Sequence, residues 1–100
     1  MEVFLSPLAE RKLEELLHYL ERRWSQRVKN QFLEKFRASI ALVKSYPESC
    51  RLLEGFPGVR KCVISKESSF FYRIHSEAIE IITVFDNRQD LDRVFNEHDF

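Results

Sequence analysis

The sequence predicts an α+β fold in two layers, with the element order β-α-α-β-β-β and an N-terminal helical hairpin packed on one face of a mainly antiparallel sheet. Three observations carry this. Apolar residues recur at helical spacing from Leu13 to Val43, and the period changes from 3.6 to 2 after Gly58. The breaks within the period-two region are Lys66-Glu67 and Ser76-Glu77, too short for anything but hairpins.

Met1 to Leu5 reads as a short strand. Ser6-Pro7 then supplies a helix N-cap and a first-turn proline, whose fixed φ and missing N–H suit that position. Leu13, Leu16, Leu17, Leu20 and Trp24 line one face of an amphipathic helix over residues 7 to 23, with Glu10, Glu14, Glu15, Arg22 and Arg23 turned away. Ser25 caps a second helix, in which Val28, Phe32, Phe36, Ile40 and Val43 repeat the spacing. Tyr46, the residue before Pro47, is pushed out of the helical region and ends it. The turn between the two helices is so short that they must lie antiparallel.

Three β-branched and aromatic runs follow, at 59–65, 69–75 and 78–85, and form a meander. If both hairpins are tight, Ile74 faces Ile79, Tyr72 faces Ile81 and Phe70 faces Thr83, with Val59 and Val63 on the same face under the helices. The other face then carries Arg73 between Arg60 and Glu80, and Phe71 between Cys62 and Ile82, with Ile64 and Val84 beyond. Residues 89–100, with Leu91, Val94, Phe95 and Phe100, fold back over that apolar face, or a partner covers it.

One hundred residues form a single domain, 1–100, with room for one core and no linker, repeat or low-complexity stretch. Sixteen basic and sixteen acidic residues cancel, which argues against charge-driven nucleic-acid or membrane binding and against sequence-specific DNA binding by the chain alone. The charge is unevenly placed. Ten basic and three acidic residues lie between Arg22 and Lys61, against two basic and seven acidic from 76 to 100. No apolar run reaches membrane-spanning length and no signal peptide is evident, so a cytoplasmic location is expected. Cys50 and Cys62 are too far apart in sequence for a redox or zinc pair, and both are expected as free, packing thiols.

At this length and element order the chain resembles the RelE/ParE family, the toxins of bacterial type II toxin–antitoxin pairs. The resemblance rests on Ser6-Pro7-Leu8-Ala9-Glu10 after the first strand, Arg22-Arg23-Trp24 at the end of the first helix, Val59-Arg60-Lys61, Phe71-Tyr72-Arg73-Ile74, and the closing run Ile82 to Asp90 with its Arg88-Gln89-Asp90 ending. Arg22-Arg23-Trp24 is similar to the ParE branch, although Asp86 stands where the family's closing strand usually has histidine. The resemblance implies a cognate antitoxin as partner. For the ParE branch it further implies DNA gyrase as target, poisoned by binding. The alternatives are a RelE-like, metal-independent ribonuclease acting on messenger RNA in the ribosome, and a non-toxic, decayed interaction module of the same fold.

The residues favour binding over chemistry. Metal-independent RNA cleavage needs a base, an acid and cations that converge. In the RelE branch these groups lie at the end of the sheet where the last strand finishes. Here that end offers Lys66 and Arg88 as cations, a serine where arginine is expected, and Phe95 near the place of a tyrosine. Arg60, Arg73 and His75 sit toward the other end of the strands, roughly 20 Å away at about 3.4 Å per residue. His18, His75 and His98 share no ligand spacing, so neither metal nor cofactor is expected. The candidate antitoxin- or target-binding residues are Arg88, Lys66, Phe71, Ile82, Val84, Arg60 and Arg73. If the chain is a ribonuclease, Arg88 and Lys66 are the catalytic candidates.

Overall fold

The structure, a computed structural model, describes residues 1–89 of the chain. Its elements are β1 (Glu2–Leu5), α1 (Pro7–Tyr19), a π-helical turn (Leu20–Trp24), α2 (Gln26–Ser45), β2 (Arg51–Leu52), β3 (Val59–Val63), β4 (Ser68–Ile74) and β5 (Ala78–Asp86). The strands form one sheet in the order β1-β5-β4-β3-β2, with β1 parallel to β5 and every other pair antiparallel. The two helices cover one face, as the sequence predicts. The residues suggested to fold back over the other face, from position 90 onward, lie outside the described residues.

The helix boundaries follow their capping residues. Ser6 Oγ accepts the Ala9 N–H at 3.0 Å and donates to the Ile82 carbonyl oxygen at 2.8 Å, so one side chain both starts α1 and ties it to β5. Ser25 Oγ accepts the Val28 N–H at 3.1 Å and starts α2. Between them the helical ladder widens, with Ser25 N–H donating to the Leu20 carbonyl oxygen at 3.0 Å. This π turn admits one extra residue and slips the helical phase. Leu20 remains buried, but Trp24, which the spacing sets on the core-facing stripe, turns outward and is 55% exposed.

The core joins Leu16, Leu20, Phe32, Phe36 and Val43 of the helical layer to Cys62, Ile64, Phe70, Tyr72, Ile79, Ile81 and Val84 of the sheet. Phe36 meets Phe70 edge-on, with ring centroids 5.8 Å apart, which locks α2 over the middle of β4. The Tyr72 hydroxyl donates to the Pro47 carbonyl oxygen at 2.7 Å, so the polar tip of this buried ring is satisfied where α2 ends.

The register differs from the expectation in two places. The β4–β5 turn is tight, as predicted, with Ile74 across from Ile79, Arg73 from Glu80 and Tyr72 from Ile81. A bulge then leaves Ile82 as the extra residue, so Phe70 pairs with Val84 rather than Thr83. From that point inward and outward positions exchange. Val84, expected on the open face, is buried beneath the helices, and Thr83 moves outward opposite Phe71.

The β3–β4 connection has three residues rather than two. Ile64 N–H donates to the Ser68 carbonyl oxygen at 2.9 Å, and Ser65 Oγ accepts from the N–H groups of Glu67 (3.3 Å) and Ser68 (3.2 Å). This serine-stabilised turn shifts β3 by one residue. Cys62 and Ile64 enter the core instead of the open face, while Val63 faces outward at 64% exposure. Arg73 accordingly lies across from Val59, not Arg60, and Phe71 lies between Lys61 and Thr83, not between Cys62 and Ile82. The short strand β2 was not foreseen. Its two residues pair with Lys61 and Arg60 and follow directly on Cys50.

Candidate functional site

At the end of the sheet where β4 begins and β5 finishes, Asp86 is completely buried. Its neighbours are set by both strands. Ser68, the first residue of β4, pairs with Asp86 in the ladder and donates its hydroxyl to Oδ2. Arg88 turns back over the same carboxylate, donating from Nε to Oδ1 at 3.1 Å, from Nη2 to Oδ2 at 2.9 Å, and from its backbone N–H to Oδ1 at 2.9 Å. Burial alone would raise the Asp86 carboxyl. The hydrogen bonds from Arg88 and Ser68, with the Arg88 charge, outweigh it and hold the group below the ordinary carboxylate range. The same Asp86 contact pushes the Arg88 guanidinium upward.

The helical hairpin reaches this site through its π turn. The Arg88 guanidinium carbon sits 5.9 Å from the centroid of the Trp24 ring, within the range of a cation–π contact. The Tyr19 hydroxyl donates to the Arg88 carbonyl oxygen at 3.1 Å, and Asn87 N–H donates to the Glu67 carbonyl oxygen at 2.8 Å. Arg88 is thus held on three sides, by a buried carboxylate, by Tyr19 through its backbone, and by an indole.

Of the candidates from the sequence, only Lys66 shares this end of the sheet with Arg88, exposed in the β3–β4 turn next to Glu67. Arg60 lies elsewhere and is engaged, donating from Nη1 to the carbonyl oxygens of Glu48 (3.1 Å) and Cys50 (2.7 Å). Arg73 is exposed across from Glu80, whose Oε1 lies 3.0 Å from His75 Nε2. Phe71 and Ile82 are half-buried, and Val84 belongs to the core. The open face is instead marked by Phe4, 45% exposed, and by Val63.

Sequence reasoning did not foresee the roles of Trp24, Tyr19 and Ser68. Periodicity assigns Trp24 to the core, and no local signal marks the π turn that frees it. Asp86 did carry a signal, as a charged residue inside an apolar strand and two residues from Arg88.

Chemically, the Asp86–Arg88 pair is an arrangement for holding. Asp86 is buried, acidic and surrounded by donors, so it is a poor base, and it cancels the Arg88 charge. Among the described residues no group of three or more His, Cys, Asp or Glu could hold a metal ion. No described helix is long and apolar enough to cross a membrane.

A model of the family described as the ParE toxin of the type II toxin–antitoxin system parDE matches residues 3–91. The chain belongs to the ParE toxin family. Among solved structures, this ParE-family chain is similar to the chromosomal ParDE toxin–antitoxin system of P. aeruginosa, at 12% identity and a TM-score of 0.73, over 86% of this chain and 95% of that one. It is also similar to a YoeB/ParE toxin from Agrobacterium tumefaciens, at 20% identity and 0.67, over 86% and 98%. The E. coli DinJ–YafQ complex contains a further neighbour, at 8% identity and 0.59, over 88% and 94%. At these identities the likenesses establish the fold, and they span ParE and other toxin types. No curated protein sequence matches the chain.

Proposed function

We propose that this ParE-family toxin acts by binding and poisoning DNA gyrase, and that its antitoxin neutralises it by covering toxin surface with an apolar segment. The observation that carries the reading is the two-pronged clasp of Arg88 on Asp86. A ribonuclease of this fold needs a cation free to meet the developing phosphorane charge and a base to take the 2′-hydroxyl proton. Here the guanidinium is held by a buried carboxylate, and the nearby phenol donates to a backbone carbonyl. What remains outward is a rigid surface of indole and guanidinium edge, suited to contact with a protein.

Lys66 and Arg88 at one end of the sheet favour the second reading, a ribosome-dependent ribonuclease. The two separate in a cleavage assay on ribosomes programmed with messenger RNA. The purified toxin leaves the message intact under the first reading, and codon-positioned cuts by the folded wild-type protein would overturn it.

A further inference from the structure

The two cysteines, distant in sequence, meet across the sheet edge. In the β2–β3 ladder Arg51 pairs with Lys61 and Leu52 with Arg60. Leu53 N–H donates to the Val59 carbonyl oxygen at 2.7 Å, which makes 53/59 a hydrogen-bonded position. Antiparallel pairs alternate, so 51/61 is hydrogen-bonded and 52/60 is not. Continuing one pair further sets Cys50 across from Cys62 at a non-hydrogen-bonded position. There opposing Cα atoms approach to about 4.5 Å, inside the ~4.4–6.8 Å span of disulfides. Both thiols are free.

We propose that Cys50 and Cys62 form a redox-active pair that a small-molecule disulfide closes into an intrachain, cross-strand bond, clamping the segment after α2 onto β3. Three observations beyond the ladder support it. Cys50 is half-exposed and Cys62 is buried, so the pair has an entry thiol and a resolving thiol. The flanking backbone is already fixed, because Arg60 bonds the Cys50 carbonyl oxygen and Tyr72 bonds that of Pro47. Burial, with the neighbouring Cys50 thiol, pushes the Cys62 thiol up to about 12, so Cys62 is a poor first attacker.

The exchange balances without any further reagent. The Cys50 thiolate attacks one sulfur of the small disulfide, forming a mixed disulfide and releasing one thiolate. Cys62 then attacks the Cys50 sulfur, loses its proton, and expels the second thiolate. Two protein thiols are oxidised, one small disulfide is reduced to two thiols, and the two cysteine protons end on the leaving thiolates. The bond would fix Tyr46, Pro47, Glu48 and Ser49, which wall an open apolar groove of about 540 Å³.

The test uses the whole chain, equilibrated with oxidised glutathione and followed by intact mass, maleimide labelling and thermal unfolding. The oxidised protein should be a monomer lighter by two hydrogen atoms, with no labelled thiol. Its Tm should rise by roughly 10 °C or more for a loop of this length, and dithiothreitol should reverse the rise. Cys50→Ser should show neither change. Cys62→Ser, where it folds, should stop at a glutathione adduct on Cys50. A persistent adduct on the wild type, a disulfide-linked dimer, a lowered Tm, or a bond that forms only in denaturant would each overturn the proposal.

Discussion

Arg88 embraces Asp86 with two side-chain hydrogen bonds, Nε to Oδ1 at 3.1 Å and Nη2 to Oδ2 at 2.9 Å, with its guanidinium carbon over the Trp24 ring. Because Asp86 is fully buried, removing its cation leaves an uncompensated charge in the interior. Arg88→Ala should therefore destabilise the fold by about 3–5 kcal/mol, read by denaturant unfolding. Asp86→Asn keeps the Ser68 contact and lets a partly exposed guanidinium rehydrate, so its cost should be smaller, about 1–3 kcal/mol. Equal costs would show that the pair is not asymmetric in burial.

The depressed Asp86 carboxyl makes a pH-dependent contribution. Its stabilisation is fully present above the unfolded carboxylate value of about 4 and is lost as pH falls through the lower folded value. The stability difference between wild type and Asp86→Asn should be flat from pH 7 to about 5 and shrink below about pH 4. A difference that grows on acidification contradicts the assignment.

The three-residue β3–β4 turn decides which residues at and just past the end of β3 are structural. Ile64→Ala should cost about 2–4 kcal/mol as a core truncation, while Val63→Ala should stay within about 0.5 kcal/mol. Two-residue turn geometry requires the reverse, so denaturation of the two variants distinguishes the registers.

Val63 and Phe4 expose apolar surface on the sheet face away from the helices. If the antitoxin covers that face, Val63→Glu should keep the fold and weaken antitoxin binding about tenfold or more, since burying an unpaired charge is costly. Unchanged affinity in calorimetry would place the antitoxin elsewhere.

Much of this was legible in the sequence because capping and periodicity are local. Ser6-Pro7, Ser25 and Tyr46-Pro47 mark the helix ends, and the Ser76-Glu77 turn sets the register as far as Tyr72. What escaped depends on single-residue offsets. A π turn, a bulge at Ile82 and a serine-held turn each add one residue; the first swings Trp24 outward, and the other two exchange inward and outward positions along β5 and β3. The candidate site suffered most, since Trp24, Arg88 and Ser68 come from three separated segments brought together by those offsets. The Cys50–Cys62 proximity was likewise hidden, because it follows from a two-residue strand that no periodicity marks.

The central claim is that the toxin works by binding gyrase. Its most direct test is supercoiling of relaxed plasmid by purified DNA gyrase in the presence of the toxin. Inhibition is expected, with gyrase–DNA cleavage complexes accumulating and the effect lost on adding the cognate antitoxin. Trp24→Ala, which removes an exposed ring with little cost to the fold, should weaken the inhibition. Supercoiling unaffected by a folded toxin at concentrations well above that of the enzyme would contradict the account.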